Sequence, residues 1–276
     1  MKKTRIGLIG ADFTLRANMV KCHYPQDCAE LYAVCDWNPV MLERFRKENP
    51  DSPAKCYSSY PELIADHEVD AVFVMVRDQY HEEIAVAALE AGKAVYLEKP
   101  MALSVEGCDR ILKTAFRTGS KLFVGHNMRY MPFVIKMKEI IDSGIIGEIQ
   151  CAWVRHFINY GSCYFRHWCA RQETCNGLLL QKGAHDIDVI HWLAGGYSRR
   201  VTGMGKLSVY NRTGGRLKEG EAPDRTASWK ADCWPPLELK GLDGKLDVED
   251  HSMLMMQLDN GVQASYEQCM YAPDSE

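Results

Sequence analysis

Lys93-Ala94-Val95-Tyr96-Leu97-Glu98-Lys99-Pro100 is the stretch around which the chain is organised. Ala94 to Leu97 form a short apolar run, as expected of a strand buried on both faces of a parallel sheet. Glu98, Lys99 and Pro100 follow with no turn between. An acid, an amine and a rigid imino acid therefore stand at the carboxyl end of a buried strand, where open α/β sheets collect ligands. Pro100 fixes its own φ and pushes Lys99 toward extended geometry, and a cis bond would sharpen the turn. A partly desolvated lysine at this place can orient a hydroxyl group. Taken alone, the same three residues also describe a surface ion pair closing a strand.

The flanking sequence supplies the rest of a sheet. Residues 5–9 read as a first strand ended by Gly10, with a helix over 13–22. A strand-glycine-helix opening presents backbone N–H groups to a pyrophosphate. Residues 31–35 form a second strand that ends at Asp36. An acid there accepts hydrogen bonds from an adenosine ribose and favours NAD over NADP. Asp36 or Asn38 serves equally well as the N-cap of a helix entering at Pro39. A short strand over 54–57, a helix from Tyr60, a strongly apolar strand over 69–76 and a helix from His81 to Ala91 follow. Beyond Pro100, Ser104 caps a helix, Gly119 ends it, and 121–124 make a sixth strand. Strands alternating with helices at this spacing predict a right-handed, doubly wound parallel sheet that ends near Gly125.

Glu-Lys-Pro after a strand, in a chain that opens on a βα unit, resembles the glucose–fructose oxidoreductase/inositol dehydrogenase (GFO/IDH/MocA) family. The resemblance runs from Arg5 to about Gly196 and weakly beyond, and His81 and His185-Asp186-Ile187-Asp188 add two further matches. It implies an α/β chain: a dinucleotide-binding Rossmann domain over 1–125, then an α+β substrate-binding and oligomerisation domain over 126–276 with an open, mostly antiparallel sheet. It implies that Lys99 sits beside the nicotinamide and touches the substrate, with Glu98 orienting it. His81 is then a cofactor-side positioning residue, or a helix cap. The glycine fingerprint departs from the family's G-x-G-x-x-G/A, because Gly10-Ala11-Asp12-Phe13-Thr14-Leu15 keeps only the first glycine. Asp12 stands where bare backbone should approach phosphate, and Thr14 offers a hydroxyl instead. The expected cofactor contacts are Gly10, Ala11, Asp12, Phe13, Thr14, Asp36, His81, Glu98 and Lys99.

In the second domain the resemblance marks Asn127 in the linker, and Arg166 and Trp168 in a loop over 161–175, as substrate contacts; for Arg166 a plain surface arginine is the alternative. A helix is expected over 132–142 and long strand character over 148–158. Gly177-Leu178-Leu179-Leu180-Gln181-Lys182-Gly183-Ala184-His185-Asp186-Ile187-Asp188 reads as the start of one amphipathic helix ended by Gly195-Gly196. At helical spacing Gln181, His185 and Asp188 share a face. The family has an aspartate where this chain has Gln181, which takes no proton, and Lys182 is the neighbour able to compensate. His185 is the expected catalytic base. The tail is β-rich, and Asp259-Asn260-Gly261 between apolar runs predicts a hairpin. A Gly-rich, charged loop is expected over 212–224. The chain stops soon after the hairpin, so an incomplete sheet that pairs subunits into a homodimer or homotetramer is expected.

Composition removes other classes of function. The 276 residues are 46% apolar, with a net charge of −4 and no block of like charge, so nucleic acid and anionic membranes are poor partners. No apolar run has the length of a membrane span, and Met1-Lys2-Lys3 leads into a strand rather than a signal peptide. Eleven cysteines without C-x-x-C pairs read as reduced cytoplasmic thiols. Cys163, Cys169 and Cys175 lie six residues apart around His167, which fits no familiar zinc pattern, so no metal is expected. The leading expectation is an NAD-dependent oxidoreductase acting on a carbinol of a sugar, cyclitol or derivative. Two rivals remain: a ligand-sensing protein with little turnover, and an enzyme that retains NAD for redox-assisted glycoside cleavage.

Overall fold

The computed structural model describes residues 2–11, 27–218, 221 and 234–274. The helix expected over 13–22, with Asp12, Phe13 and Thr14, lies outside the described residues, as does part of the loop expected over 212–224. The chain divides into two compact units, Met1–Gly125 and His126–Glu276.

Among the described residues the first unit builds a six-stranded sheet from β1 (Thr4–Ile9), β2 (Ala29–Cys35), β3 (Lys55–Tyr57), β4 (Ala71–Val74), β5 (Ala94–Leu97) and β6 (Leu122–Val124). The spatial order is β3-β2-β1-β4-β5-β6, with every pairing parallel. Helices α1 (Pro39–Glu48), α2 (Tyr60–Ala65), α3 (His81–Glu90) and α4 (Val105–Thr118) connect the strands. Alternate strand residues serve opposite faces. Val72, Val74, Val95 and Leu97 pack with Ile84, Ala85, Leu89 and Ile111 of α3 and α4, and Ile6, Leu8 and Val34 pack with Leu42 and Phe45 of α1. Ser104 caps α4 by accepting from the Gly107 amide at 3.0 Å, and Gly119 ends it in the left-handed region.

One ladder of hydrogen bonds continues past the strand ends. Beyond five of the six strands, all but the edge strand β3, the first residue donates its amide to the neighbouring strand: Asp36 to Tyr57 (3.2 Å), Gly10 to Cys35 (2.9 Å), Met75 to Ile9 (2.9 Å), Glu98 to Val74 (3.1 Å) and Gly125 to Leu97 (2.8 Å). β4 is therefore shorter than the apolar run predicts, because after Met75 the chain leaves the sheet for a 3₁₀ turn at Asp78–Tyr80. Gly10 sits at φ +105°, and a Cβ there would lie 2.1 Å from the Met75 carbonyl oxygen. Only glycine meets both conditions.

The second unit is a four-stranded sheet ordered β7-β12-β11-β8, from β7 (Cys151–Phe157), β8 (Ser198–Lys206), β11 (His251–Leu258) and β12 (Gln263–Cys269). Two pairings are antiparallel, including the β11–β12 hairpin, and β12 runs parallel to β7. Short strands β9 (Gly215–Arg216) and β10 (Lys240–Leu242) pair separately. Helix α5 spans Pro132–Asp142. The 161–175 stretch is not an open loop. It winds into α6 (Ser162–Phe165), a 3₁₀ turn at Trp168–Ala170 and α7 (Gln172–Cys175), because Tyr164, Phe165, Cys169 and Cys175 are drawn into a core with Tyr210 and Val248.

The long helix expected from Gly177 onward is two helices, α8 (Leu178–Gln181) and α9 (Gly183–Ala194). The break falls at Lys182, which keeps a right-handed conformation at the loose φ of −103° but belongs to neither helix. Two packing constraints fix the break. Glu249 accepts from the Leu179 amide at 2.5 Å and holds the first turn of α8. Gly183 fits against Tyr266, where a Cβ would approach to 3.2 Å. Gln181 therefore does not share one continuous helical face with His185 and Asp188. α9 lays Ile187 and Ile190 on the inner sheet face among Leu254, Met256, Ala264 and Tyr266.

Gly10→Ala should lower the stability of the first unit by about 3 kcal/mol, through positive-φ strain and backbone overlap. Urea unfolding measures it, and a loss below about 1 kcal/mol would contradict the close approach of β1 to β4.

Candidate active site

In the first unit the site is built from the carboxyl ends of the strands. Glu98 and Lys99 are half-buried directly after β5, and the Lys99–Pro100 bond is cis. His81, the first residue of α3, is fully buried. Its Nδ1 lies 2.6 Å from the Pro100 carbonyl oxygen and its Nε2 lies 3.2 Å from that of Val76. The shorter contact assigns Nδ1 as the donor to Pro100. The imidazole thus ties the exit of β4 to the residue after Lys99, so its positioning effect runs through the backbone.

Asp36 is 4% exposed, and its Oδ1 accepts from the Asn38 amide at 2.9 Å. Asn38, not Asp36, caps α1, accepting from the Val40 amide at 3.1 Å. Burial, then the Asp36 charge, pushes the Cys35 thiol up to about 12, which makes it a packing residue rather than a nucleophile. Gly10 and Ala11 are buried at the end of β1, between the ends of β2 and β4. The buried Asp36 carboxylate flanks this strand end, the place in a doubly wound sheet where a dinucleotide is received.

In the second unit His185 is the third residue of α9, and its Nδ1 is buried. The residues around it hold the helix from two sides. Asp186 points to the sheet, with His156 Nδ1 3.0 Å from both carboxylate oxygens and the Tyr266 hydroxyl donating at 2.9 Å. Lys182 Nζ lies 3.2 Å from His156 Nδ1 and 3.8 Å from Asp186. Asp188 is taken by a two-pronged fork from Arg129, at 2.7 and 2.5 Å, and Arg129 also lies 5.7 Å from the Trp192 ring centroid. Burial pushes the Asp186 carboxyl up, but the His156 hydrogen bond and the Lys182 charge outweigh it and hold the group below its ordinary value. Burial lowers the Lys182 pKa, with Asp186 opposing.

The sequence-predicted residues divide accordingly. Lys182 is buried in the Asp186–His156 cluster rather than offered to a ligand, and His185 precedes Asp186 on α9. Gln181 closes α8. Asn127 is exposed at the start of a 3₁₀ turn, Asn127–Tyr130. Arg166 is half-buried, with an Nε that has no hydrogen-bond partner among the described residues. Trp168 packs against the Tyr164–Phe165 core. Sequence reasoning missed His156, Arg129 and Tyr266. The signal for Arg129 was present in the linker, whereas His156 lies 30 residues from Asp186 with no local pattern to pair them. Among the described residues no group of three or more His, Cys, Asp or Glu side chains is placed to hold a metal ion.

Asp186→Asn should cost about 3 kcal/mol at neutral pH, because it leaves Lys182 and His156 without their anion. Its folded pKa is depressed, so its contribution is present above the unfolded value and is lost as pH falls through the folded one. Parent and variant should therefore differ most above about pH 4 and converge in stronger acid, as read by denaturant unfolding across pH; a constant gap would rule out this coupling.

Residues 4–126 match the oxidoreductase family with NAD-binding Rossmann fold, and residues 134–276 match the GFO/IDH/MocA C-terminal domain. Inositol 2-dehydrogenase of Salmonella typhimurium is 33% identical over 194 residues, which cover 68% of this chain and 52% of that protein. The 1-carboxy-3-chloro-3,4-dihydroxycyclo hexa-1,5-diene dehydrogenase of Comamonas testosteroni is 30% identical, covering 76% of this chain and 53% of its own. The chain thus spans about half the length of the curated relatives it matches. Among solved structures, an NAD binding oxidoreductase from Klebsiella pneumoniae superposes with TM-score 0.73 at 26% identity, covering 98% of this chain and 67% of that one. Levoglucosan dehydrogenase in complex with NADH and levoglucosan shares the fold, with TM-score 0.78 at 21% identity, covering 99% and 69%. The first unit is an NAD-binding Rossmann domain, and the chain belongs to the GFO/IDH/MocA oxidoreductase family.

Proposed function

We propose that the protein is an NAD-dependent oxidoreductase acting on a carbinol, or the corresponding ketone, of a sugar, cyclitol or derivative. The observation that carries this reading is Glu98-Lys99-Pro100 at the carboxyl end of β5, in a parallel sheet whose β1 ends on Gly10 at positive φ. Relatives named inositol 2-dehydrogenase support a polyhydroxylated substrate. Bound NAD supplies a hydride acceptor at its nicotinamide ring. Lys99 holds the carbinol oxygen and favours the negative charge that develops on it. Glu98 orients Lys99, and His81 braces the turn that carries it. His185 takes the hydroxyl proton as general base. Asp186 and Asp188 hold its helix, so Gln181 in place of an acid does not leave the histidine unsupported. Asn127 and Arg166 are the polar groups proposed to select the substrate.

The outer face of the second-unit sheet supports self-association. Pairing register brings Trp153, Ser265, Met255 and Thr202 into one row and Arg155, Glu267, Met253 and Met204 into the next. Trp153, Met204 and Met255 are 71%, 74% and 69% exposed. Large exposed apolar side chains gathered on one sheet face and interleaved with polar ones are a feature of association surfaces. We read this face as the contact that pairs subunits. The nine described cysteines are unbridged, which supports a reducing, cytoplasmic setting. No helix among the described residues is long and apolar enough to cross a membrane.

Absorbance at 340 nm with NAD and a polyol panel should rise for at least one substrate. Lys99→Ala and His185→Ala should each lower turnover by about 10² or more with little change in melting temperature. No rise with any polyol, but ligand binding, would instead support a sensor, and cofactor retained after denaturation would support redox-assisted cleavage. Sedimentation should show a dimer or tetramer at micromolar concentration, and Met255→Glu should dissociate it; a monomeric parent would remove the proposed contact.

A further inference from the structure

Trp37 follows Asp36 directly and is 52% exposed. A scattered exposed aromatic is ordinary on a protein surface. This one differs in where it is held. Its ring centroid lies 5.1 Å from that of Tyr80, with the planes at 64°. Trp37 stands two residues past the end of β2, and Tyr80 closes the Asp78–Tyr80 turn after β4. In the sheet order β1 lies between those two strands. Strand ends two places apart are separated by about 10 Å. The two side chains therefore reach toward each other over the carboxyl end of β1, the end that finishes at Gly10.

The edge-to-face contact leaves at least one face of the indole unused by Tyr80. Asp36 sets the approach, because its carboxylate accepts from the Asn38 amide and forms the turn that carries Trp37. A buried acid and an open aromatic face thus stand side by side at the edge that receives a dinucleotide. A ribose hydroxyl held by the first brings its attached base to the second. Every nucleobase has a π-face, and stacking on an aromatic side chain needs no further hydrogen bond.

We propose that Trp37 is the stacking platform for the adenine ring of the cofactor and that Tyr80 braces it. The proposal rests on the reading of the first unit as a dinucleotide site. It assigns to the adenine end an affinity that the single remaining glycine of the fingerprint does not supply at the pyrophosphate.

The test uses the whole protein and three probes: NADH, ADP-ribose and nicotinamide mononucleotide. Titration calorimetry gives affinities. Intrinsic fluorescence reports on the indole, with ADP-ribose as the quencher because it carries no nicotinamide. Trp37→Ala should weaken ADP-ribose and NADH binding about tenfold and leave nicotinamide mononucleotide unchanged. Trp37→Phe keeps a ring and should stay within about threefold of the parent, while losing the quench that ADP-ribose causes among the six tryptophans. The melting temperature of both variants should hold, since the side chain is half exposed. If the parent binds ADP-ribose and Trp37→Ala binds it equally well, the platform is wrong and the dinucleotide site stands. An equal loss for nicotinamide mononucleotide also overturns the platform, because Trp37 would then act through the fold. A parent that binds neither NADH nor ADP-ribose at millimolar concentration overturns both proposals.

Discussion

The extra rung of backbone hydrogen bonds beyond the strand ends is the constraint on which the first unit depends. Asp36, Gly10, Met75, Glu98 and Gly125 each donate an amide to a neighbouring strand after regular pairing has ended. The residues proposed for chemistry are therefore not loop residues in the usual sense. Asp36 and Glu98 are pinned at the root, and their side chains start from points spaced by the sheet itself. Buried N–H and C=O groups need partners, so this rung is also what allows the chain to stay inside the fold for one more residue. Gly10 belongs to the same rung, and its missing Cβ is what permits β1 and β4 to close on each other there.

The second unit achieves its order by a costlier route. Helix α9 carries two aspartates that face different ways. Asp186 is buried among His156, Lys182 and Tyr266, while Asp188 is gripped by Arg129. A buried ionic cluster contributes little net stability compared with an apolar core of the same shape, yet breaking it is expensive. What it provides here is direction. Rotating α9 by even a fraction of a turn would separate one aspartate or the other from its partners, so the angle at which His185 leaves the helix is set from both sides. Apolar contacts of Ile187 and Ile190 with the sheet would tolerate more slack.

Much of the first unit was legible in the sequence. The strand signals, the Ser104 cap and the terminating Gly119 are local, and local signals survive folding. The 177–192 stretch was misread as one helix because its periodicity is helical on both sides of Lys182. The break comes from Glu249, some seventy residues downstream, and from the fit of Gly183 against Tyr266. The same limit hid the His156–Asp186 pair. Asp36 and Asn38 are interchangeable as caps on paper, since the choice depends on which side-chain oxygen the turned backbone brings to the Val40 amide. The family resemblance singles out His81, while its partners, the backbone carbonyls of Val76 and Pro100, are announced by no side-chain pattern.

The outward rows of the second-unit sheet hold Met204, Met253 and Met255. Thioether side chains are unbranched and polarisable, so they mould to a facing surface by rotating rather than by shifting the strands beneath. On an unpaired chain the same sulfurs are accessible to peroxide. A sulfoxide would put a strong dipole into each row while leaving the inner face and α9 untouched. Oxidative damage at these three positions would thus be felt as a change in stickiness between molecules, with each molecule's own core intact.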